Sequence, residues 1–149
     1  MGKPYILLIE DNADDIDLTQ RAFGKNHIAN DVVVVRDGAQ AIEYLFDPAL
    51  AGSRGLPALI LLDLNLPKLS GLEVLQKIRG HEATRVVPTV ILTSSKQEED
   101  LVEGYRLGVN SYVRKPVDFN EFVEAVRQVG LYWLVLNEPP PTAAGGGGM

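Results

Sequence analysis

The chain has no cysteine among its 149 residues, only two histidines and a single tryptophan. Without thiols neither a disulfide framework nor a thiolate metal site can form, and two imidazoles are too few for most histidine-rich metal centres. Basic residues are also in short supply. Fourteen Lys and Arg stand against 20 Asp and Glu, a formal charge of −6, the wrong balance for a surface that neutralises nucleic-acid phosphates. Long apolar runs are lacking too: each falls far short of the roughly 20 residues that span a membrane. Residues 5–9, which precede Glu10, are too short for the core of a secretory signal, and Ile6 stands where N-myristoylation after Met1-Gly2 calls for Ser or Thr. No strand-like run is followed by G-x-G-x-x-G or G-x-x-x-x-G-K-[ST], which removes the dinucleotide and P-loop readings. The expectation left is one globular domain, soluble and cytoplasmic, with no nucleic acid and no membrane as partner.

Strand-like and helix-like segments alternate five times. Short apolar or β-branched runs at residues 5–9, 32–35, 58–62, 87–92 and 111–113 read as strands. Between and after them lie helices with start signals. Asn12 precedes a helix to about Lys25 whose buried face is Ile16, Leu18, Ala22 and Phe23. Asp37 and Gln40, Ser70 and Glu73, Ser95 and Glu98, and Asp118 and Glu121 carry the capping spacing for the other four. Leu72, Leu75 and Ile78 point inward from the third helix, which Gly80 ends, and Gly108 ends the fourth. Such alternation predicts an α/β fold, a doubly wound, five-stranded parallel sheet with helices on both faces and right-handed crossovers.

In that architecture the C-terminal ends of all strands share one edge, where chemistry is placed. Glu10 and Asp11 follow the first strand, Asp63 ends the third, Thr93 the fourth, and Lys115 follows the fifth. Three carboxylates crowded together repel one another, and a hard divalent cation relieves that repulsion while leaving positions for water and a phosphoryl group. Mg²⁺ is the natural choice. A carboxylate beside it can attack phosphorus, and a hydroxyl and an ammonium neutralise the acyl phosphate that results. Asp63 is therefore the candidate nucleophile.

Over about residues 4–130 the chain resembles the receiver domain of two-component response regulators. The resemblance is carried by Glu10-Asp11, by Asp63-Leu64-Asn65-Leu66-Pro67 with Ser70-Gly71, by Thr93-Ser94 and by Lys115-Pro116, in this order and each at a strand end. It implies a flavodoxin-like fold with strand order 2-1-3-4-5. It also implies that Glu10, Asp11, Asp63 and the backbone carbonyl of Asn65 hold Mg²⁺, and that Asp63 accepts phosphate from a phosphohistidine on a sensor histidine kinase. Thr93 and Lys115 would contact the phosphoryl oxygens, with a cis bond before Pro116. Tyr112, which as a residue is a half-buried strand aromatic, would turn inward when Thr93 moves toward the phosphate, signalling through the surface of the fourth helix, fifth strand and fifth helix. Glu10 stands where the family more often has Asp, which favours a water-mediated metal contact. Asp14, Asp15 and Asp17 are read as favouring the N-terminus of the first helix, outside the site.

Residues 47–57 form a long connection with Pro48, Gly52, Ser53, Gly55 and Pro57. Past the fifth helix, Leu131-Tyr132-Trp133-Leu134-Val135-Leu136 is an apolar run that extends the domain to residue 136; the expectation is a homodimer contact built from the last helix and this run together, the alternative being that the run folds back onto its own domain. Residues 137–149 read as a flexible Pro/Gly-rich tail. With no output domain after the helices, the expected output is a protein contact or a phosphate relay, and the resemblance implies a signalling phosphoacceptor and not an enzyme. The long connection and the terminal run look like the single-domain regulators paired with bacterial phytochrome histidine kinases. One alternative is a phosphatase of the haloacid-dehalogenase type, against which Asn65 stands where such enzymes place a second Asp. Another is a receiver-like scaffold that works without phosphorylation.

Overall fold

The computed structural model of the protein describes residues 4–25, 30–47 and 55–128. The expected contact segment at 131–136, the tail at 137–149 and the middle of the 47–57 connection lie outside the described residues. The elements run β1 (Ile6–Ile9), α1 (Ala13–Lys25), β2 (Val32–Val35), α2 (Gly38–Phe46), β3 (Leu59–Asp63), α3 (Gly71–Arg79), β4 (Thr89–Thr93), α4 (Lys96–Gly104), β5 (Ser111–Arg114) and α5 (Phe119–Gln128). Five strands form one parallel sheet in the order β2-β1-β3-β4-β5, as expected.

The central strands are buried on both faces, which is why they read as unbroken apolar runs. Alternate residues feed two cores. Leu7, Ile9, Ile60, Leu62 and Ile91 pack with Ala41 and Leu45 of α2, Val74, Leu75 and Ile78 of α3 and Val102 of α4. Ile6, Leu8, Leu59, Leu61, Val90, Leu92 and Val113 face the other way, against Phe23 of α1 and Phe122, Ala125 and Val126 of α5. Phe23 and Phe122 stack at 4.5 Å between centroids and tie α1 to α5 across that layer. No helix among the described residues is long and apolar enough to cross a membrane.

The caps set the helix starts. Ser70 and Glu73 make a full capping box, with Glu73 N–H donating to Ser70 Oγ at 3.2 Å and Ser70 N–H to Glu73 Oε1 at 3.0 Å. Asp37 accepts from Gln40 N–H at 2.7 Å, but the Gln40 side chain accepts from Arg36 N–H at 3.1 Å, so the reciprocal half of the expected box is absent there. Asp118 accepts from Asn120 and Glu121 N–H at 2.7 and 3.1 Å.

Four local expectations shift. Leu18 is exposed, because the buried face of α1 runs through Thr19 and Phe23. On α3, Val74 is buried and Leu72 only partly so. β4 starts at Thr89 and not at residue 87, since Pro88 has no N–H for the ladder; Thr89 N–H instead begins the strand on Asn110 Oδ1 at 2.8 Å. α4 stops at Gly104, four residues before Gly108, which takes φ +67° in the turn that follows. Arg79 clasps this region. Its guanidinium donates to the carbonyls of Leu107, Arg85, Val87 and Gly108 and to Asn110 Oδ1, at 2.8–3.3 Å, fixing the end of α3 to the α4–β5 turn.

Candidate functional site

Parallel pairing aligns the strand ends. Ile9 lies opposite Leu62, and Asp63 opposite Leu92, so Glu10, Asp63 and Thr93 arrive together at one edge. Glu10 and Asp63 are each 1% exposed, while Asp11 is half-buried. One carboxylate oxygen from each of Glu10, Asp11 and Asp63 lies within 4.8 Å of the other two. That spacing suits a hard cation with oxygen ligands.

Lys115 enters from the end of β5, where its N–H donates to Thr93 O at 2.8 Å and the Lys115–Pro116 bond is cis. Its ammonium stands 3.3 Å from Glu10 Oε1, 3.3 Å from Asp63 Oδ1 and 3.0 Å from Asp15 Oδ2. The approach to Asp63 is one of charge. Among the described residues no donor points at the buried Oδ1 in hydrogen-bonding alignment, so the atom holds acceptor capacity for a ligand. The orphaned oxygen and the three clustered acids fit a divalent cation.

The electrostatics agree. Burial first, and then the Asp63 charge, push the Glu10 carboxyl up to about 7, against the opposing Asn12 N–H bond and Lys115 charge. Burial alone would lower the Lys115 pKa, but its bond to Asp15 and the charges of Asp63, Glu10 and Asp15 outweigh this, and the net shift is upward. The pocket thus carries more carboxylates than one ammonium can satisfy.

Thr93 is fully buried, its hydroxyl 3.4 Å from Glu99 Oε2 on α4, and Glu99 also meets Arg114 of β5 at 3.5 Å. Tyr112 is partly buried against the core beneath α2–α4 and borders a cavity of about 190 Å³ with Val102, Leu107 and Val109. Burial, followed by the charges of Glu103, Glu99 and Asp100, pushes its hydroxyl up to about 12. Asn65 is exposed in the turn after β3, and its side-chain amide donates to Glu98 Oε2 at 3.0 Å.

The structure brings Glu10, Asp11, Asp63 and Lys115 together, while the Thr93 and Tyr112 side chains turn toward α4 and that of Asn65 toward Glu98. Three partners went unread. Glu98 has the spacing of a helix cap, yet its carboxylate links Asn65 to Ser94 N–H, the latter at 2.7 Å. Glu99 holds the Thr93 hydroxyl. Asp15, set aside as a helix-start charge, is the nearest of the three carboxylates that meet Lys115. A signal for it existed: residues 15, 19 and 23 fall on one helix face, and Thr19 and Phe23 are buried there. That pattern turns Asp15 toward the strand ends and leaves Asp14 and Asp17 exposed.

Comparison with known proteins gives the same picture. The family model described as the response regulator receiver domain matches residues 6–127. The probable methanogenesis regulatory protein FilR2 of Methanothrix harundinacea is 41% identical over 91% of this chain and 86% of its own. A solved structure of the bacteriophytochrome response regulator RtBRR superimposes with a TM-score of 0.81 at 53% identity, covering 95% of this chain and 86% of that one. The phosphorylated cyanobacterial phytochrome response regulator RcpA gives 0.72 at 36% identity, covering 95% and 100%. A buried carboxylate at the end of β3, flanked by two acids that follow β1 and a lysine that follows β5, is thus set in a matching fold over nearly the whole described chain, and the chain belongs to the response regulator receiver domain family.

Proposed function

We propose that the protein is a single-domain response regulator that accepts a phosphoryl group on Asp63 from a phosphohistidine of a sensor histidine kinase. The observation that carries this reading is the buried Asp63 carboxylate, with an oxygen lacking an aligned donor and an ammonium 3.3 Å away. A carboxylate oxygen of Asp63 attacks phosphorus, the O–P bond forms as the N–P bond breaks, and the electron pair stays on the departing imidazole, which takes a proton. Lys115 stands ready to neutralise the new phosphoryl oxygens, and Thr93 brings a hydroxyl to them from the end of β4. Glu10, Asp11, Asp63 and the carbonyl of Asn65 would hold Mg²⁺, which when bound neutralises charge on the transferring group.

The output follows from Thr93. Once its hydroxyl leaves Glu99 for the phosphoryl group, the tie among Thr93, Glu99 and Arg114 is broken, and Tyr112 has room beside Val102 and Leu107 to move inward. The surface of α4, β5 and α5 then differs between the two states. A downstream protein or phosphotransfer partner reads it in the cytoplasm, and the reading includes a homodimer through α5 and the apolar run after it. The names of RtBRR and RcpA favour a phytochrome as the kinase's sensor module.

Asp63→Asn tests the acceptor. Incubation with acetyl phosphate and Mg²⁺ is expected to give a phosphorylated species by intact mass for the wild type and none for the variant; equal labelling of both sinks the reading. Sustained release of inorganic phosphate without an adduct would favour the phosphatase alternative.

Metal binding has its own readout. Glu10, with its folded pKa raised from 4.5 to about 7, favours the fold most at pH below 4.5, and that contribution is lost as pH rises through about 7. A cation needs the ionised carboxylate, so its stabilisation grows over the same window. Saturating Mg²⁺ should therefore raise the thermal midpoint by several degrees at about pH 8, where a concentration of 100 Kd contributes about 2.7 kcal/mol, and by much less at about pH 5. A scan in EDTA against Mg²⁺ at both values checks this; equal increments would place the ion elsewhere.

A further inference from the structure

Three carboxylates share the Lys115 ammonium, and Glu10 and Asp63 already belong to the proposed reaction. Asp15 does not. It nonetheless makes the shortest of the three contacts, 3.0 Å, from the first turn of α1. Its backbone is held at both ends: Asp15 N–H donates to the capping Asn12 Oδ1 at 2.9 Å, and Asp15 O accepts from the Thr19 hydroxyl at 2.8 Å, with Thr19 itself buried. Neighbouring acids behave otherwise. Asp14 is exposed, and Asp17 pairs with Arg21 along the helix at 2.9 Å. One acid of the three is thus fixed against the lysine that faces the acceptor.

Resting on the phosphoacceptor reading, we propose that Asp15 is a positioning residue that competes with the phosphoryl group for Lys115, and so limits how firmly the modified state is held. Phosphorylation places additional negative charge on Asp63, and Lys115 must turn toward the new oxygens to neutralise it. In the present arrangement Asp15 draws the ammonium toward α1 and adds a like charge beside the incoming anion. Its removal releases Lys115 to the phosphoryl group. Among the described residues the partner of the Asp15 carboxylate is Lys115, and Asp15 acts through that lysine.

The test uses beryllofluoride, a phosphoryl mimic, titrated with Mg²⁺ and followed by fluorine NMR. Asp15→Asn keeps the side-chain shape and removes the charge; for one partly screened charge a few ångströms from the lysine, it should bind beryllofluoride about three- to tenfold more tightly than wild type. Asp15→Glu should return the affinity to within about twofold of wild type. In a Lys115→Gln background, where binding is weaker and millimolar beryllofluoride is used, adding Asp15→Asn should change the affinity by no more than about twofold, because the group through which Asp15 acts is gone. Unchanged or weaker binding by Asp15→Asn overturns the proposal, as does the same gain in the Lys115→Gln background. No adduct on the wild type would remove the phosphoacceptor reading and this inference with it, whereas a wild-type adduct with an unaltered Asp15→Asn removes this inference alone.

Discussion

Replacing Lys115 with methionine is expected to cost the fold about 3 kcal/mol near neutral pH in EDTA, and markedly less at about pH 5. Methionine keeps most of the aliphatic stem, so the packing lost is small, and what disappears is the ammonium facing Glu10, Asp15 and Asp63 at 3.0–3.3 Å. Glu10 and Asp63 are almost wholly buried, and an uncompensated buried charge is the expensive case. The pH dependence follows from the sign. Glu10 already has a folded pKa raised by burial and by Asp63 even with Lys115 lowering it, and loss of the lysine raises it further. A carboxyl with a raised folded pKa supports the fold below its unfolded value and loses that support as pH climbs, at up to about 1.4 kcal/mol per unit for one proton. Urea unfolding of both proteins at about pH 5 and about pH 7.5 should therefore give curves whose midpoints diverge as pH rises. A constant gap between them would assign the loss to packing and not to charge.

The same pocket shows how far the sequence could be read. Strand positions were legible because β1, β3 and β4 are buried on both faces and so contain runs such as Leu59-Ile60-Leu61-Leu62 with no polar interruption. Asp63 was legible because it ends such a run, and Glu10, Thr93 and Lys115 because parallel strands bring their C-terminal ends to one edge. Side-chain partnerships across elements were not. Asp15 reads in sequence as one of three acids near a helix start, and only the rotation of α1 about Phe23 and Thr19 sends it to Lys115. Glu98 and Glu99 both satisfy ordinary helix-start rules, yet one links to Asn65 and the other to Thr93. Boundaries slipped where a local rule met a competing one: Pro88 had no donor to offer the ladder, and α4 ended on Gly104 and Tyr105, before the glycine that usually marks a stop. Arg79 gave no sequence signal as a hub, since its acceptors are four backbone carbonyls and the Asn110 side chain, from segments as far as residue 110.

Gly71→Ala is expected to destabilise the protein by about 3 kcal/mol, the upper part of the range for overpacking a well-packed site, and to disturb Asp63, the proposed phosphoryl acceptor, as it does so. Gly71 is the first residue of α3, and its N–H donates to Leu64 O at 2.9 Å, drawing the helix start directly onto the end of β3. A Cβ there would overlap Asp63 O and lie 2.5 Å from Leu64 Cα and 3.0 Å from the Asp63 carbonyl carbon. All three are backbone atoms, so no side chain can swing aside. β3 cannot retreat either, being paired to β1 on one side and β4 on the other. The strain must go into α3, which is anchored by its capping box and by Val74, Leu75 and Ile78 in the core, or into the peptide that carries Asp63. Gly104→Ala is the control, because nothing lies within 4 Å of its Cβ position and it closes a helix; there alanine should be neutral or stabilise by up to about 1 kcal/mol. Urea unfolding of the two variants should thus move the midpoint in opposite directions or leave the control unmoved, and beryllofluoride binding should weaken in Gly71→Ala alone. A Gly71→Ala protein as stable as wild type would show that the junction between β3 and α3 can yield. In that case the close seating of α3 would not be what holds Asp63 at the mouth of the sheet.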